Sequence, residues 1–332
     1  MKMKLLAIAV AATGFGTNVL AAEVYNSQGS TLSIGGYVDV GVGEYGDSTE
    51  VEVHDVSPRL NISGTQQAGN GVTVDAKGEW AINFLDGGKE TFTTRLGYIG
   101  ATHEQAGRLV AGTQWAPYYD VGGVADIPIA FANDFLYSNQ GNIGSARADK
   151  MLSYRNTLNI SNDVALNLGL GWQGKHDIYD TRGQIAISGE FMGFGLGYVY
   201  SDGDVGIGGV EENSQSHLVS ANYGTYGEGV YAAVVYASNE YFYGAGLSAL
   251  KDSSQYEGLL AYGLGNGLTL SVNYEAVEDD NTDKTQYSQS AIQAEYQLAP
   301  KLTGFAAFQF DLGNDIGDPE DDKWTIGARY YL

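Results

Sequence analysis

The chain of 332 residues has no cysteine, five prolines and four histidines, and it carries 17 basic against 40 acidic residues. Without cysteine it can form neither a disulfide framework nor a thiolate metal site. The net charge of −23 argues against nucleic acid as a partner, because a polyanion is bound by clustered Lys and Arg. What the chain has in excess is glycine, with 47 residues, and tyrosine, with 24. Together with the scarcity of proline, this composition favours many strands.

The N-terminal segment has the three parts of a secretory signal peptide. Met1–Lys4 is positively charged, Leu5–Ala12 is apolar, and small residues lead to a cleavage site after Ala21 or Ala22. The apolar stretch is too short to span a bilayer, and no later stretch is apolar enough to be a membrane helix. We therefore expect a signal peptide over residues 1–21 and one mature domain over 22–332. That domain is either soluble outside the inner membrane or a membrane β-barrel.

Apolar and polar residues alternate along most of the mature chain. At the C-terminus, Trp324, Ile326, Ala328, Tyr330 and Leu332 share one face, and the residues between them share the other. The same period occurs at 32–42, 72–82, 164–173, 268–275 and 302–310. This period is typical of strands that have one apolar and one polar face.

Short and long connections follow one another between the predicted strands. The longer, polar ones are 43–53, 174–181, 202–214, 278–286 and 311–322. Short turns on one rim and long loops on the other indicate an outer-membrane barrel more than a soluble sandwich. A first count finds 17 strands, which would place the two chain ends on opposite rims. Treating Ser238–Ser253 as one loop leaves 16, so we predict an all-β, 16-stranded antiparallel transmembrane β-barrel around an aqueous channel.

The longest connection covers about 35 residues, 115–149, and we refer to it as the long connection. A connection of this length inside a compact domain is usually functional or disordered. Its six aromatic residues favour packing, and the open lumen offers a surface for it. Folded into the lumen, it would narrow the channel and present Asp120, Asp126 and Asp134. The alternative is that these aspartates form turns or helix caps on an outer loop.

Strand alternation also places three arginines on the inner face of the predicted barrel. Phe92 and Leu96 are predicted to face lipid, so Arg95 between them faces the lumen, and the same reasoning places Arg59 and Arg155 there. A charged residue facing mid-bilayer lipid would cost about 2–4 kcal/mol, which supports this assignment. These arginines either pair locally with acidic residues or form a positive wall opposite the acidic long connection. Charged rings of the second kind select ions.

Six segments of the mature chain carry a family resemblance: 22–29, 32–39, 58–64, 94–100, 154–156 and 325–332. They resemble the enterobacterial general diffusion porins. The resemblance implies a trimeric, 16-stranded porin whose third external loop folds into the channel, with acidic residues facing an arginine cluster on the wall. By motif, that cluster corresponds to Arg59, Arg95 and Arg155. Within the loop, Asp120, Asp126, Phe131 and Asp134 keep the family spacing.

Three positions depart from that family pattern. Tyr37 replaces a basic residue on the first strand, Ala130 stands near the place of a loop glutamate, and Leu332 replaces a terminal Phe. We include Tyr37 in the predicted constriction for this reason. Losing one acid and one base together would keep the constriction balanced while weakening its field.

The sequence is also compared with three alternatives to a porin: an enzyme, a specific channel and an adhesin. An outer-membrane enzyme needs His beside Asp or Ser on one face near a rim, and the four histidines do not offer that arrangement. A channel specific for a sugar or oligosaccharide would line its path with aromatics, and the long connection has them. An adhesin barrel is a further alternative. The acidic runs at 278–283 and 311–322 lack the spacing of an EF-hand, which favours solvated external loops that could share divalent ions with lipopolysaccharide. We predict no cofactor and no metal centre.

We therefore predict a porin that is integral to the outer membrane of a Gram-negative cell. It would let ions and small hydrophilic solutes diffuse passively, and its partners would be outer-membrane lipid and lipopolysaccharide. Assembly as a homotrimer rests on the resemblance alone. The acidic charge predicts a preference for cations, and the arginine wall acts against it.

Overall fold

The computed structural model describes residues 21–46, 48–85, 91–161, 164–244, 249–317 and 321–332. The predicted signal peptide, except for Ala21, lies outside these residues. Within them, no helix is long and apolar enough to cross a membrane.

Strands make up most of the described chain. They are β1 Ala22–Ser27, β2 Ser30–Glu44, β3 Glu52–His54, β4 Arg59–Gly69, β5 Val72–Ile82, β6 Phe92–His103, β7 Gly107–Trp115, β8 Arg147–Ser161, β9 Val164–Gln173, β10 Tyr179–Phe191, β11 Phe194–Ile207, β12 Val210–Thr225, β13 Glu228–Glu240, β14 Asp252–Gly263, β15 Leu268–Asp279, β16 Lys284–Ala299, β17 Leu302–Asp311 and β18 Lys323–Tyr331. Two short helices, α1 Pro117–Gly122 and α2 Gln140–Ile143, lie between β7 and β8, with 3₁₀ turns at Gly123–Ala125 and Phe135–Tyr137.

The strands close into a 16-stranded antiparallel barrel, as predicted. From β4 to β18 each strand pairs with its neighbours in sequence, and β18 pairs with β2, which also pairs with β4. The two remaining strands, β1 and β3, are short and pair only along the edges of β2. Closing the ring leaves no long unpaired edge.

The seam between the first and last barrel strands is fastened by a buried ion pair. Arg329 on β18 and Asp39 on β2 lie 2.7 Å apart, and Asp39 is 1% exposed. The second carboxylate oxygen of Asp39 accepts hydrogen bonds from the backbone N–H groups of Val56 and Ser57. Such additional hydrogen bonds are needed to offset the cost of burying two charges.

The outer surface of the barrel is apolar and carries an aromatic belt. Exposed aliphatic residues such as Ile185, Val234 and Leu260 alternate with buried inner residues along their strands. Exposed aromatics collect near the rim with the short turns: Phe191, Phe194, Tyr223, Tyr262, Tyr296 and Tyr330. An apolar band with aromatic edges matches a bilayer and its interfaces.

The strand count of 16 is confirmed: β13 ends at Glu240, β14 begins at Asp252, and the described residues between them, 241–244 and 249–251, form no further strand. The long loop predicted at 202–214 is wrong, since β11 continues to Ile207 and β12 begins at Val210. Residues 208 and 209, both glycines with positive φ, form the turn. In this part of β11 and β12 the outward-facing residues are polar, so the alternation of apolar and polar residues ends. The two strands nevertheless stay hydrogen-bonded to each other up to the turn.

The predicted orientation of Leu96 toward lipid is also wrong, because Leu96 is 2% exposed. The pairing of β5 with β6 shifts register here: Glu79 opposes Leu96 while the next residue, Trp80, opposes Thr94. Arg95 is therefore the extra residue of a β-bulge. A bulge reverses the alternation of faces along a strand.

Candidate functional site

The long connection covers residues 116–146 in the structure and begins with α1. Pro117 opens this helix, where its missing N–H costs no hydrogen bond. Tyr118, Val121 and Leu136 are at most 2% exposed. Glycines on the barrel make room for this packing: a Cβ at Gly197 of β11 would come within 2.7 Å of Val121. The aromatic and aliphatic residues of the long connection thus serve to pack it against strands.

Hydrogen bonds continue this contact around the barrel. The hydroxyl of Tyr118 lies 2.7 Å from that of Ser216 on β12, and Tyr231 on β13 donates to the carbonyl of Val124 at 2.7 Å. Farther along, the N–H of Ile129 donates to Glu295 on β16 at 3.0 Å. These partners lie on the strand face opposite the exposed apolar residues.

Charged residues on β4, β5 and β6 gather around one carboxylate, and we call Arg59, Lys77, Glu79 and Arg95 the wall cluster. Glu79 is 4% exposed. Its carboxylate oxygens lie 3.0 Å from Lys77, 3.1 Å from Arg95 and 3.9 Å from Arg59. Three cations around one anion leave the wall cluster with a net charge of +2.

Asp126 of the long connection lies within electrostatic reach of Arg59 and Arg95. Its carboxylate accepts hydrogen bonds from the hydroxyls of Tyr119, at 2.7 Å, and Tyr137. Burial raises the pKa of Asp126, and the two tyrosines and two arginines oppose that rise without cancelling it.

Tyr37 of β2 lies between two guanidinium groups. Its ring centre is 4.7 Å from the Cζ atom of Arg59 and 4.0 Å from that of Arg329. Its hydroxyl lies 3.1 Å from that of Ser57. A neutral ring that faces two cations stabilises them by cation–π attraction, which an ammonium group at this position could not do.

Arg155 does not share a carboxylate with Arg59 and Arg95. It forms an ion pair with Asp120 of α1 at 2.5 Å and donates to the carbonyl of Trp115 at 2.7 Å. The structure thus joins two of the predicted site residues, Arg155 and Asp120, where the long connection leaves β7.

Asp134 lies near a different part of the barrel. Its N–H donates to Glu275 on β15 at 2.8 Å, and the neighbouring Asn133 donates to the carbonyl of Gly258 on β14 at 3.2 Å. Among the seven predicted site residues, Arg59, Arg95, Asp126 and Tyr37 are therefore brought near one another. Asp120 pairs with Arg155 near the start of the long connection, and Asp134 lies in its middle, bonded to Glu275 through its backbone N–H.

Sequence reasoning missed three charged residues at the site. Lys77 and Glu79 share the polar face of β5, so the same alternation that placed Arg59 could have found them. Arg147, the first residue of β8, lies within electrostatic reach of Arg95. Its guanidinium covers Trp115 and Tyr137 at 5.9 and 5.8 Å. No periodic pattern marks Arg147, because it stands where the strand begins.

In the part of the chain that the structure describes, no group of three or more His, Asp or Glu residues is arranged to hold a metal ion. What the candidate site presents is a set of fixed charges: cations on strands and a carboxylate on the long connection, with tyrosines bonded to that carboxylate. Fixed charges beside an aqueous path bias which ions pass.

Comparison with known proteins gives consistent matches. A family model described as Gram-negative porin matches residues 7–332. The outer membrane porin protein OmpD of Citrobacter koseri is 26% identical over 351 residues, covering 100% of this chain and 89% of OmpD. The outer membrane porin PhoE of Escherichia coli (strain K12) is 25% identical, with 99% of each chain covered.

A solved structure has the same fold. OmpF of Salmonella typhi, in a complex with daunomycin, superposes with a TM-score of 0.78. The match covers 94% of this chain and 100% of that one, at 18% identity. At this identity the likeness concerns the architecture of the barrel.

Proposed function

Because the chain belongs to the Gram-negative porin family, we propose that it forms a water-filled channel through the outer membrane. Ions and small hydrophilic solutes would cross it by passive diffusion. A barrel of 16 strands is too wide for side chains to fill, which supports an aqueous lumen. The family consists of channels, and we propose no enzymatic activity.

The packing of the long connection carries the proposal for a constriction. Its contacts reach inner-face residues of strands from β9 to β16, and Tyr45 just beyond β2 donates to the carbonyl of Ala130 at 3.3 Å. A segment that touches so many strands from this side would cross the lumen. It would leave an aqueous path between Asp126 and the wall cluster.

The residues of the constriction follow from this arrangement. Arg59, Arg95 and Tyr37 would line the wall, and Asp126 would face them. Arg155 and Asp120 would hold the segment where it leaves β7, and Asp134 would hold it farther along. In this proposal all seven predicted residues serve the constriction, although only four would lie beside the path.

The aromatic residues in and next to the long connection support general diffusion over a sugar-specific channel. Trp115 and Tyr119 stack on each other at 4.2 Å, and Tyr118 is fully buried. The hydroxyls of Tyr119 and Tyr137 are bound to Asp126. Rings used for internal packing in this way are not free to stack on a passing sugar.

We also propose removal of residues 1–21 as a signal peptide, contact with outer-membrane lipid and lipopolysaccharide, and assembly as a homotrimer. The trimer rests on family membership. It predicts that channels insert into a bilayer in groups of three.

Conductance and reversal potential in planar bilayers test the proposal. At 10 mM salt the screening length is about 30 Å, so the acidic surface attracts cations; at 1 M it is about 3 Å and only residues beside the path count. We expect ohmic steps in threes and a cation preference that falls as salt rises. A preference for anions at 10 mM salt would contradict the proposal that the acidic surface attracts cations. Current steps that one sugar blocks would favour a channel specific for that sugar. A folded barrel without steps would overturn the channel itself.

A further inference from the structure

The connection between β13 and β14 folds onto the long connection through Phe242. Phe242 is 3% exposed, and its ring centre lies 5.5 Å from that of Tyr118, with 28° between the ring planes. On β10, the guanidinium of Arg182 lies 5.2 Å from the Phe242 ring. One ring thus joins the β13–β14 connection to α1 and to the barrel.

Arg182 is itself fixed in place. It is 1% exposed and donates to the carbonyl and hydroxyl of Ser214 at 2.9 and 2.8 Å. No carboxylate forms an ion pair with Arg182 among the residues described here. A buried cation without an ionic partner benefits from the electron-rich face of a ring, so Phe242 and Arg182 stabilise each other's positions.

The backbone around Phe242 is also held. Tyr241 donates to the carbonyl of Lys251 at 2.9 Å, and Leu250 donates to that of Tyr243 at 2.9 Å. These two bonds continue the β13–β14 hairpin beyond the strands. Phe242 is therefore placed by a paired backbone.

Little space remains behind the long connection at this point. The cavity there has a volume of about 10 Å³ and is lined by Tyr118, Leu136, Ser145 and Phe242, among others. That volume holds about one water molecule. A solute or hydrated ion does not fit in a cavity of this size.

We propose that Phe242 is a specificity-determining residue that seals the space between the long connection and strands β10–β14. Solutes are thereby confined to the other side of the long connection, where Asp126 faces the wall cluster. This inference rests on the proposed constriction and adds a reason why its charges act on every ion that crosses. Removing the ring opens a second path that avoids them.

Liposome swelling with sugars of increasing mass tests the seal. Phe242→Ala is expected to raise the permeation of the largest sugars several-fold, while Phe242→Leu, which fills most of the same volume, stays close to the parent. Phe194→Ala is the matched control, because Phe194 is 57% exposed on the outer face. A folded Phe242→Ala variant with the parent's size dependence would overturn the inference.

Reversal potentials separate the failure of this inference from failure of the constriction. In the parent, Arg95→Gln is expected to shift selectivity toward cations; with Phe242→Ala the same change gives a smaller shift, because part of the current avoids Arg95. An equal shift in both backgrounds refutes the seal and keeps the constriction. No shift in either background refutes the constriction itself.

Cysteine labelling tests the seal with Phe242 in place. The chain has no cysteine, so a single Ser145→Cys change gives a unique thiol in the cavity, at a position that is 2% exposed. A membrane-impermeant thiol reagent should label it roughly tenfold more slowly than Thr49→Cys in an exposed loop, because thiol reactivity follows access. Equal rates would overturn the inference even if Phe242→Ala does not fold.

Discussion

Replacing Glu79 by glutamine removes the one anion of the wall cluster. Glu79 is surrounded by Lys77, Arg95 and Arg59 at 3.0, 3.1 and 3.9 Å. The substitution keeps the shape of the side chain and raises the net charge of the cluster from +2 to +3. If ions pass beside this cluster, Glu79→Gln shifts selectivity toward anions.

Coulomb's law gives the size of that shift. An ion in water about 5 Å from the carboxylate interacts with it by about 0.8 kcal/mol. Screening in 0.1 M salt, where the Debye length is about 10 Å, reduces this to about 0.5 kcal/mol. Cations lose that attraction and anions lose an equal repulsion, so their permeability ratio changes by about 1 kcal/mol. The expected change is roughly fivefold.

Reversal potentials in a salt gradient of 0.1 M average concentration measure this ratio. Arg95→Gln should shift the ratio in the opposite direction. Glu228→Gln is the matched control, because it removes the same charge at an exposed position on the rim with the short turns. Heat-modifiable mobility in electrophoresis checks that each barrel is folded. A permeability ratio that shifts toward cations in Glu79→Gln would refute the reasoning. So would an unchanged ratio in Glu79→Gln when Arg95→Gln does change it.

Two more predictions concern the long connection. Arg155→Gln leaves the partly buried Asp120 without its ionic partner, which lies at 2.5 Å in the parent. We therefore expect the free energy of unfolding in urea to fall by about 1–3 kcal/mol and the channel current to become noisier. Adding Asp120→Asn should partly reverse both effects. Equal stability of Arg155→Gln and the parent would contradict this anchoring. An ordinary aspartate has a pKa of about 3.9. Because burial raises the pKa of Asp126, this residue loses its negative charge on acidification in a pH window above that reference value. Cation selectivity of the parent should therefore fall in that window and that of Asp126→Asn should not; identical pH profiles would exclude Asp126 from the path.

The barrel could be predicted from the sequence because a membrane imposes the same rule on every strand. One face meets lipid and the other meets water, so a period of two appears wherever the chain lies within the bilayer. Above the bilayer both faces meet water and the rule no longer applies. This is why β11 and β12 extend to residues 207 and 210, beyond the end of the alternation.

The candidate site was only partly predictable, because alternation gives the face of a residue and not its partner. It places Arg59 and Arg155 on one face, yet one joins the wall cluster and the other pairs with Asp120. The bulge at Arg95 depends on how β6 aligns with β5, which one strand's sequence does not contain. The constriction assigned to these residues stays a prediction until its conductance tests are done.

The formal charge of the chain also overstates what a permeating ion would meet. Glu275 and Glu295 accept hydrogen bonds from backbone N–H groups of the long connection, at 2.8 and 3.0 Å, and Glu275 is 3% exposed. These hydrogen bonds hold the segment in place. The wall cluster, by contrast, has a net positive charge although the chain is strongly acidic. Because the screening length sets the reach of a fixed charge, the salt concentration decides whether the wall cluster alone or the acidic chain as a whole governs the selectivity.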